Sequence, residues 1–256
     1  MLRSETIRPK RTRACRLILL QVALVLLVAA SAGADSVPVS ASDAKADPVA
    51  SPCPDGTAER VARVIQARYE GIRDIHARFE QTNRSSSFEG QPLMTPEPKF
   101  GDVVFAKPGK MRWSYVSPEP SIVVSNGRVL WIYDIEGKAI TRLEVTAGFL
   151  SGAALQFLLG DGQILETFEV SAVSCEGDRV RLDLLPRNDA TYERLGLLAD
   201  GTSGDVVGTS VLDLFGNLTE IGFSEIDVNR DPAPETFELE IPDGVEVIDY
   251  ARSPEG

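Results

Sequence analysis

One histidine, His76, and three cysteines stand in 256 residues. With a single imidazole, no Ser-His or Cys-His pair can be assembled elsewhere in the chain. The alternation around His76 puts it outward beside Arg78, the position of a surface histidine. Neither a G-x-S-x-G elbow nor a G-x-x-x-x-G-K-[ST] loop occurs. The glycine-rich stretch from Gly201 to Gly208 follows Asp200 between two strands and opens no helix, so it reads as a hairpin loop rather than a phosphate cradle. Carboxylates are plentiful, but Glu238 and Glu240 mark one solvated strand face, and a glycosidase needs two carboxylates facing across a cleft. The expectation is a protein that is no enzyme, with no catalytic set, no cofactor and no metal.

Basic charge is also scarce. The chain has 26 Lys and Arg against 38 Asp and Glu, and six of the basic residues lie between Arg3 and Arg16. They precede an apolar run from Leu17 to Val28 and the small residues Ala32, Gly33 and Ala34, the layout of a secretory signal cleaved near Ala34. About 12 apolar residues fall short of the roughly 20 that a membrane-spanning helix needs. Removing residues 1–34 takes away six basic residues and one acidic residue, deepening the formal charge from −12 to −17. Such a field disfavours nucleic acid and a permanent contact with anionic headgroups. Cys53 and Cys175 alone survive cleavage, and in an oxidising compartment an even pair is expected to form a disulfide tying the N-terminal segment to a strand. Their spacing suits neither a metal site nor a redox motif.

Residues 35–54 carry no periodicity and read as a flexible tether, leaving 55–252 as one domain. Val61, Ile65, Tyr69 and Ile72 recur at helical spacing, with Asp55 or Thr57 as the expected cap. After Gly71 the period becomes two, with Ile75, Ala77, Phe79 and Gln81 on one face. Turn signals at Lys107-Pro108-Gly109-Lys110, Asn126-Gly127, Glu136-Gly137, Glu176-Gly177 and Asp200-Gly201 are short enough to join only antiparallel neighbours. Later strands are expected over 164–174, 179–185, 192–199, 206–213 and 218–228, with extended segments at 237–241 and 245–248. Phe149, Leu150, Ala153, Ala154, Phe157 and Leu158 fit a short helix. The fold class is therefore mainly β within α+β, one long antiparallel sheet that must curl, with two or three helices on its concave side.

In "FAKPGKMRWSYVSPEPSIVVSNGRVLWIYD", Phe105 to Asp134, the notable residues are apolar. Met111, Trp113 and Tyr115 share one strand face, and on the next strand Leu130 and Ile132 oppose Trp131 and Tyr133. Singly, each reads as core; together, on a curled sheet with few helices to fill it, they suggest a cavity.

The stretch "FGDVVFAKPGKMRWSYVSPEPSIVVSNGRVLWIYD" resembles the periplasmic outer-membrane lipoprotein carrier (LolA) family, with its strand glycine, X-Pro-Gly turn, aromatic-x-Trp strand and "SNG..LWIYD" segment. "IHARFEQT" resembles the family's first strand and "EIGFSEIDVNRDPAPETFELEIPDGVEVID" its closing segment, so the resemblance runs from about Ala58 to Asp249. It implies an incomplete antiparallel barrel of about eleven strands with a helical lid over an apolar cavity. The cavity would be lined by Phe79, Phe105, Met111, Trp113, Tyr115, Trp131, Phe149, Leu150 and Phe157. It implies a monomeric periplasmic carrier of acylated lipoproteins, loaded by an inner-membrane lipoprotein-releasing transporter and unloaded to an outer-membrane acceptor. Lys107 stands where the family has a lid-gating arginine, and Met111 where it has an aromatic. The competing reading is a lipid- or lipoprotein-sensing module on the same fold. A hydrolase and an outer-membrane acceptor lipoprotein fit less well, for want of histidine partners and of a lipidated N-terminal cysteine.

Overall fold

Val61, Ala62, Ile65 and Tyr69 fall on one stripe of helix α1, Thr57–Glu70, and all four are buried. The computed structural model describes residues 51–86, 96–145, 163–188 and 190–250. The expected helix at 149–159 and the expected signal and tether up to residue 50 lie outside them. Neither Asp55 nor Thr57 caps α1 with its side chain. Gly56 is the N-cap in the left-handed region, Thr57 is a buried helical residue, and the first turn is closed by backbone bonds to Pro54 O and Gly56 O.

The strands are β1 Asp74–Arg84, β2 Lys99–Ala106, β3 Lys110–Ser117, β4 Ser121–Asn126, β5 Val129–Asp134 and β6 Ala139–Glu144. After helix α2, Ile164–Thr167, they continue as β7 Phe168–Glu176, β8 Arg179–Pro186, β9 Tyr192–Asp200, β10 Val206–Asp213, β11 Leu218–Val228 and β12 Glu246–Asp249. They form one open twelve-stranded sheet in the order β12-β6-β5-β4-β3-β2-β1-β11-β10-β9-β8-β7. Two meanders, β1 to β6 and β7 to β11, are thus joined by pairing β1 with β11. The sheet does not close on itself, in keeping with the expected incomplete barrel.

Three segments differ from expectation. The first residues of the strand expected at 164–174 form α2, because Ile164 is buried beside α1 and its N–H donates to Gln66 Oε1 at 3.2 Å. The segment expected to be extended at 237–241 begins instead in a 3-10 helix, Pro234–Phe237, since Pro232 and Pro234 withdraw the N–H groups a ladder would use. Phe237 is buried, and Arg112 Nη1 holds the segment by donating to Thr236 O and Glu238 O, both at 3.3 Å. Finally, β12 pairs with β6 in parallel, so the sheet is not purely antiparallel. A strand that returns along the sheet's outer side can run either way.

Cys53 and Cys175 are joined in a disulfide, and Cys175 N–H donates to Ser51 O at 3.1 Å. The segment leading into α1 is thereby tied to β7. Along its length α1 meets the β9–β10 turn. Gly204 approaches so closely, at φ +79°, that a Cβ there would lie 2.8 Å from Val64 O. Arg60 donates to Gly201 O and Arg68 pairs with Asp205 at 2.7 Å.

Candidate functional site

Cross-strand pairing decides which side chains share the face that α1 covers. One row runs Phe105, Met111, Ser125 and Leu130; the next runs Ala77, Val103, Trp113, Val123 and Ile132; a third runs Phe79, Gly101 and Tyr115. Paired residues point to the same side of a sheet, so Phe79, Phe105, Met111, Trp113 and Tyr115 converge as one group. Their rings meet edge to face. Phe79 is 4.8 Å from Trp113 and 4.9 Å from Tyr115, and Phe105 is 5.5 Å from Trp113. Each such pair contributes about 0.5–1.5 kcal/mol beyond area burial. Gly101 makes this possible, since its lack of a side chain leaves the gap into which the Phe79 ring fits.

Trp131 does not join them. Register places it on the opposite side with Arg112, Val124 and Arg142, while its neighbour Leu130 is buried with the ring cluster. Successive strand residues face opposite ways, so only one of the two can line the inner face. Val124, Ile140 and Phe237 make a second buried group on the outer side, which is why large residues there carry no cavity role. Sequence reading also missed Val103, Leu130 and Phe223 as inner residues. The two-residue period was available for each, but their partners across the sheet were not. Phe149, Leu150 and Phe157 lie outside the described residues.

Lys107 sits in the β2–β3 turn, and its Nζ donates to Tyr69 O at 2.7 Å, in the last turn of α1. A cation there meets the negative end of the helix dipole and shares Tyr69 O with the Ile72 N–H, which donates to it at 3.2 Å. His76 is not the free surface group expected. Its side chain is 34% exposed, its Nε2 is buried, and it lies 3.7 Å from Asp74 Oδ1. Asp74 is itself buried and accepts the backbone N–H groups of Arg230 and Asp231 at 2.7 and 3.1 Å, fixing the chain as it leaves β11.

At the end of β1 away from α1, polarity returns to the inner face. Tyr115 OH donates to Gln81 Oε1 at 2.9 Å, Gln81 Nε2 donates to Asn83 Oδ1 at 3.2 Å, and Thr219 Oγ1 donates to the same oxygen at 3.0 Å. Burial pushes the Tyr115 phenol up to about 12. Burial likewise raises Tyr69 to about 12, against the opposing effect of the Val206 N–H that its hydroxyl accepts. An unfolded tyrosine ionises near 10, so between pH 10 and 12 the unfolded chain holds fewer protons than the folded one. Stability is therefore full below pH 10 and is lost as pH rises toward 12, by on the order of 2–3 kcal/mol per tyrosine. Urea unfolding midpoints at pH 9 and pH 11 should show this fall, and Tyr115→Phe should reduce it by about half; an unchanged pH dependence in that variant would remove Tyr115 from the account.

Free space is distributed unevenly. A small void of about 10 Å³ lies among Tyr69, Ile75, Phe105, Val206 and Phe223 on the inner face. A larger hollow of about 550 Å³ is bordered by Arg78, Glu80, Phe100, Asp102 and Val116. Its ionised rim makes it a poor host for an apolar ligand despite its size. Among the described residues the inner face is apolar and buried.

The family described as "Outer membrane lipoprotein carrier protein LolA" matches residues 70–240. An outer-membrane lipoprotein carrier protein of Nitrosomonas europaea is 30% identical over 179 residues, covering 68% of this chain and 82% of that protein. One from Cupriavidus pinatubonensis is 27% identical, covering 72% and 85%. A crystal structure of a LolA superfamily protein from Nitrosomonas europaea overlaps 70% of this chain and 97% of its own, with 10% identity and a TM-score of 0.39. The match over well more than half the sequence, on a chain whose β1, β2 and β3 carry the ring cluster, means that the protein belongs to the outer-membrane lipoprotein carrier family.

Proposed function

We propose that the protein is a periplasmic carrier that covers the acyl chains of lipoproteins between an inner-membrane releasing transporter and an outer-membrane acceptor. The observation that carries this reading is the continuous apolar inner face of Phe79, Phe105, Met111, Trp113 and Tyr115, in a chain whose relatives bear the carrier's name. At about 0.8 kcal/mol per buried CH₂, one 16-carbon chain left in water costs on the order of 10 kcal/mol, so an acylated protein needs a cover to cross an aqueous compartment. Residues 1–34 direct export and are removed near Ala34. The mature carrier acts as a monomer and holds its cargo without turnover of any bond. Direction comes from partners that favour the loaded or the empty state, because a ligand shifts a conformational equilibrium only through unequal affinity for its states.

In this reading Lys107 is the latch that keeps α1 down over the inner face. Lys107→Leu removes a charge-assisted hydrogen bond and should free the last turn of α1. Amide exchange at Arg68, Tyr69 and Glu70 should accelerate about 5- to 10-fold, with Lys107→Arg close to the parent. The carrier reading itself is tested by adding the mature protein to ATP-energised inner-membrane vesicles that hold a newly acylated lipoprotein. Soluble equimolar complexes that pass the lipoprotein to outer membranes are expected; lipoprotein that stays in the vesicles would refute it.

A further inference from the structure

The inner face of β1 changes character along its length. Ile75, Ala77 and Phe79 are at most 7% exposed, and the next two residues with the same orientation, Gln81 and Asn83, are polar and half-buried. From Ile75, beside α1, to Gln81 is six residues, or about 20 Å at the strand rise of about 3.3 Å per residue, which is the reach of a long acyl chain. An amphiphile laid along this face would bring its polar linkage to Gln81 and Asn83.

The hydrogen bonds there leave donors over. Asn83 Oδ1 already accepts from Gln81 Nε2 and Thr219 Oγ1, whereas no group among the described residues accepts from Asn83 Nδ2. Gln81 Oε1 is taken by the Tyr115 hydroxyl, and Gln81 Nε2 has a second hydrogen to give. Lys99, paired across the strands with Gln81, has its ammonium engaged by Glu119 at 3.0 Å. The result is a neutral surface with spare N–H donors and acceptors already engaged by the Tyr115 hydroxyl, Gln81 Nε2 and Thr219 Oγ1. It suits carbonyl oxygens and offers little to a phosphate or a cation.

Resting on the carrier reading above, we propose that Gln81 and Asn83, oriented by Tyr115 and Thr219, form the subsite for the ester or amide carbonyls at the polar end of a bound acyl chain. The subsite fixes which way the lipid lies. Chain ends run toward α1, and the attached protein leaves past the tips of β1 and β11.

The test uses the disulfide-intact protein and vesicles of a diether phosphatidylcholine, whose matrix has no ester carbonyl. These carry trace dipalmitoylglycerol, dipalmitoyl phosphatidylcholine or the dihexadecyl ether of glycerol, and mass spectrometry counts each lipid taken into solution. The parent should prefer ester over ether about 5-fold, Asn83→Leu should bring that ratio near one with ether uptake unchanged, and Tyr115→Phe should lower it part of the way. A carbonyl preference with either ester supports the subsite, and the ester that shows it tells a lipoprotein's diacylglyceryl group from a membrane phospholipid. If the folded Asn83→Leu protein keeps the parent's preference, the subsite is overturned and the carrier stands. If the parent takes up none of the three, the subsite is overturned, and the release assay with energised inner-membrane vesicles decides the carrier reading separately.

Discussion

Met111→Glu is expected to abolish acyl-chain uptake and to remove roughly 5 kcal/mol or more of stability. Met111 is 5% exposed and lies in the row with Phe105, Ser125 and Leu130, in which no described residue is a cation that could receive a carboxylate. The new group must either ionise in an apolar setting or stay protonated, and buried carboxyls respond with pKa rises of up to about 3–5 units, each worth about 1.4 kcal/mol near neutral pH. Loss of the methionine side chain from the core adds about 1.5–3 kcal/mol. The total rivals the whole stability of an ordinary domain, about 5–15 kcal/mol, so a control is needed that alters shape without charge. Met111→Leu should cost less than about 1.5 kcal/mol and keep lipoprotein release near the parent level. Release assays and urea unfolding on both variants decide the matter: a Met111→Glu protein that solubilises lipoprotein as well as the parent would take the inner face out of the binding site.

Gly101→Ala should be nearly as damaging, although it adds one methyl group. A Cβ at this position would overlap Ser114 O across the β2–β3 pair and stand 2.9 Å from Phe79 Cε1. One neighbour is backbone and cannot swing aside. The register slips between Phe100 and Gly101, which brings the two strands close at this point. To admit the methyl, β2 and β3 must part or Phe79 must leave its contacts with Trp113 and Tyr115, and overpacking of this kind costs about 1–3 kcal/mol, occasionally more. We expect a loss of about 3 kcal/mol in urea unfolding. Adding Phe79→Leu should restore little of it, because the overlap with Ser114 remains. An alanine variant within about 0.5 kcal/mol of the parent would mean that the strands separate easily here.

The ring cluster was readable because each of its members depends on a local rule. Phe79 alternates with charged Arg78 and Glu80, and Met111, Trp113 and Tyr115 alternate with Arg112 and Ser114, so one face of each strand is marked as buried by the polarity of the other. In β5 that mark is missing. Leu130, Trp131, Ile132 and Tyr133 are all apolar, and the period alone cannot say which pair faces in. The answer comes from the outer side, where Phe237, held by Arg112, supplies a second apolar layer against β3 and β4. Similarly, His76 alternates like a surface residue, and nothing nearby in sequence announces that Asp74 will be buried under Arg230 and Asp231.

The sequence by itself determined the helix at 57–70, the turns at 107–110, 126–127, 176–177 and 200–201, and the shared orientation of Met111, Trp113 and Tyr115. These follow from helical and strand periods and from turn residues, which act over a few positions. Only the tertiary structure decided that β1 would join β11, that Trp131 would face away from Leu130's side, that Ile164 would start a helical turn and that β12 would run parallel to β6. Each of those depends on which distant segment covers a given surface. A strand fixes the alternation of its own side chains, but inside and outside exist only once another part of the chain has excluded water from one of its faces.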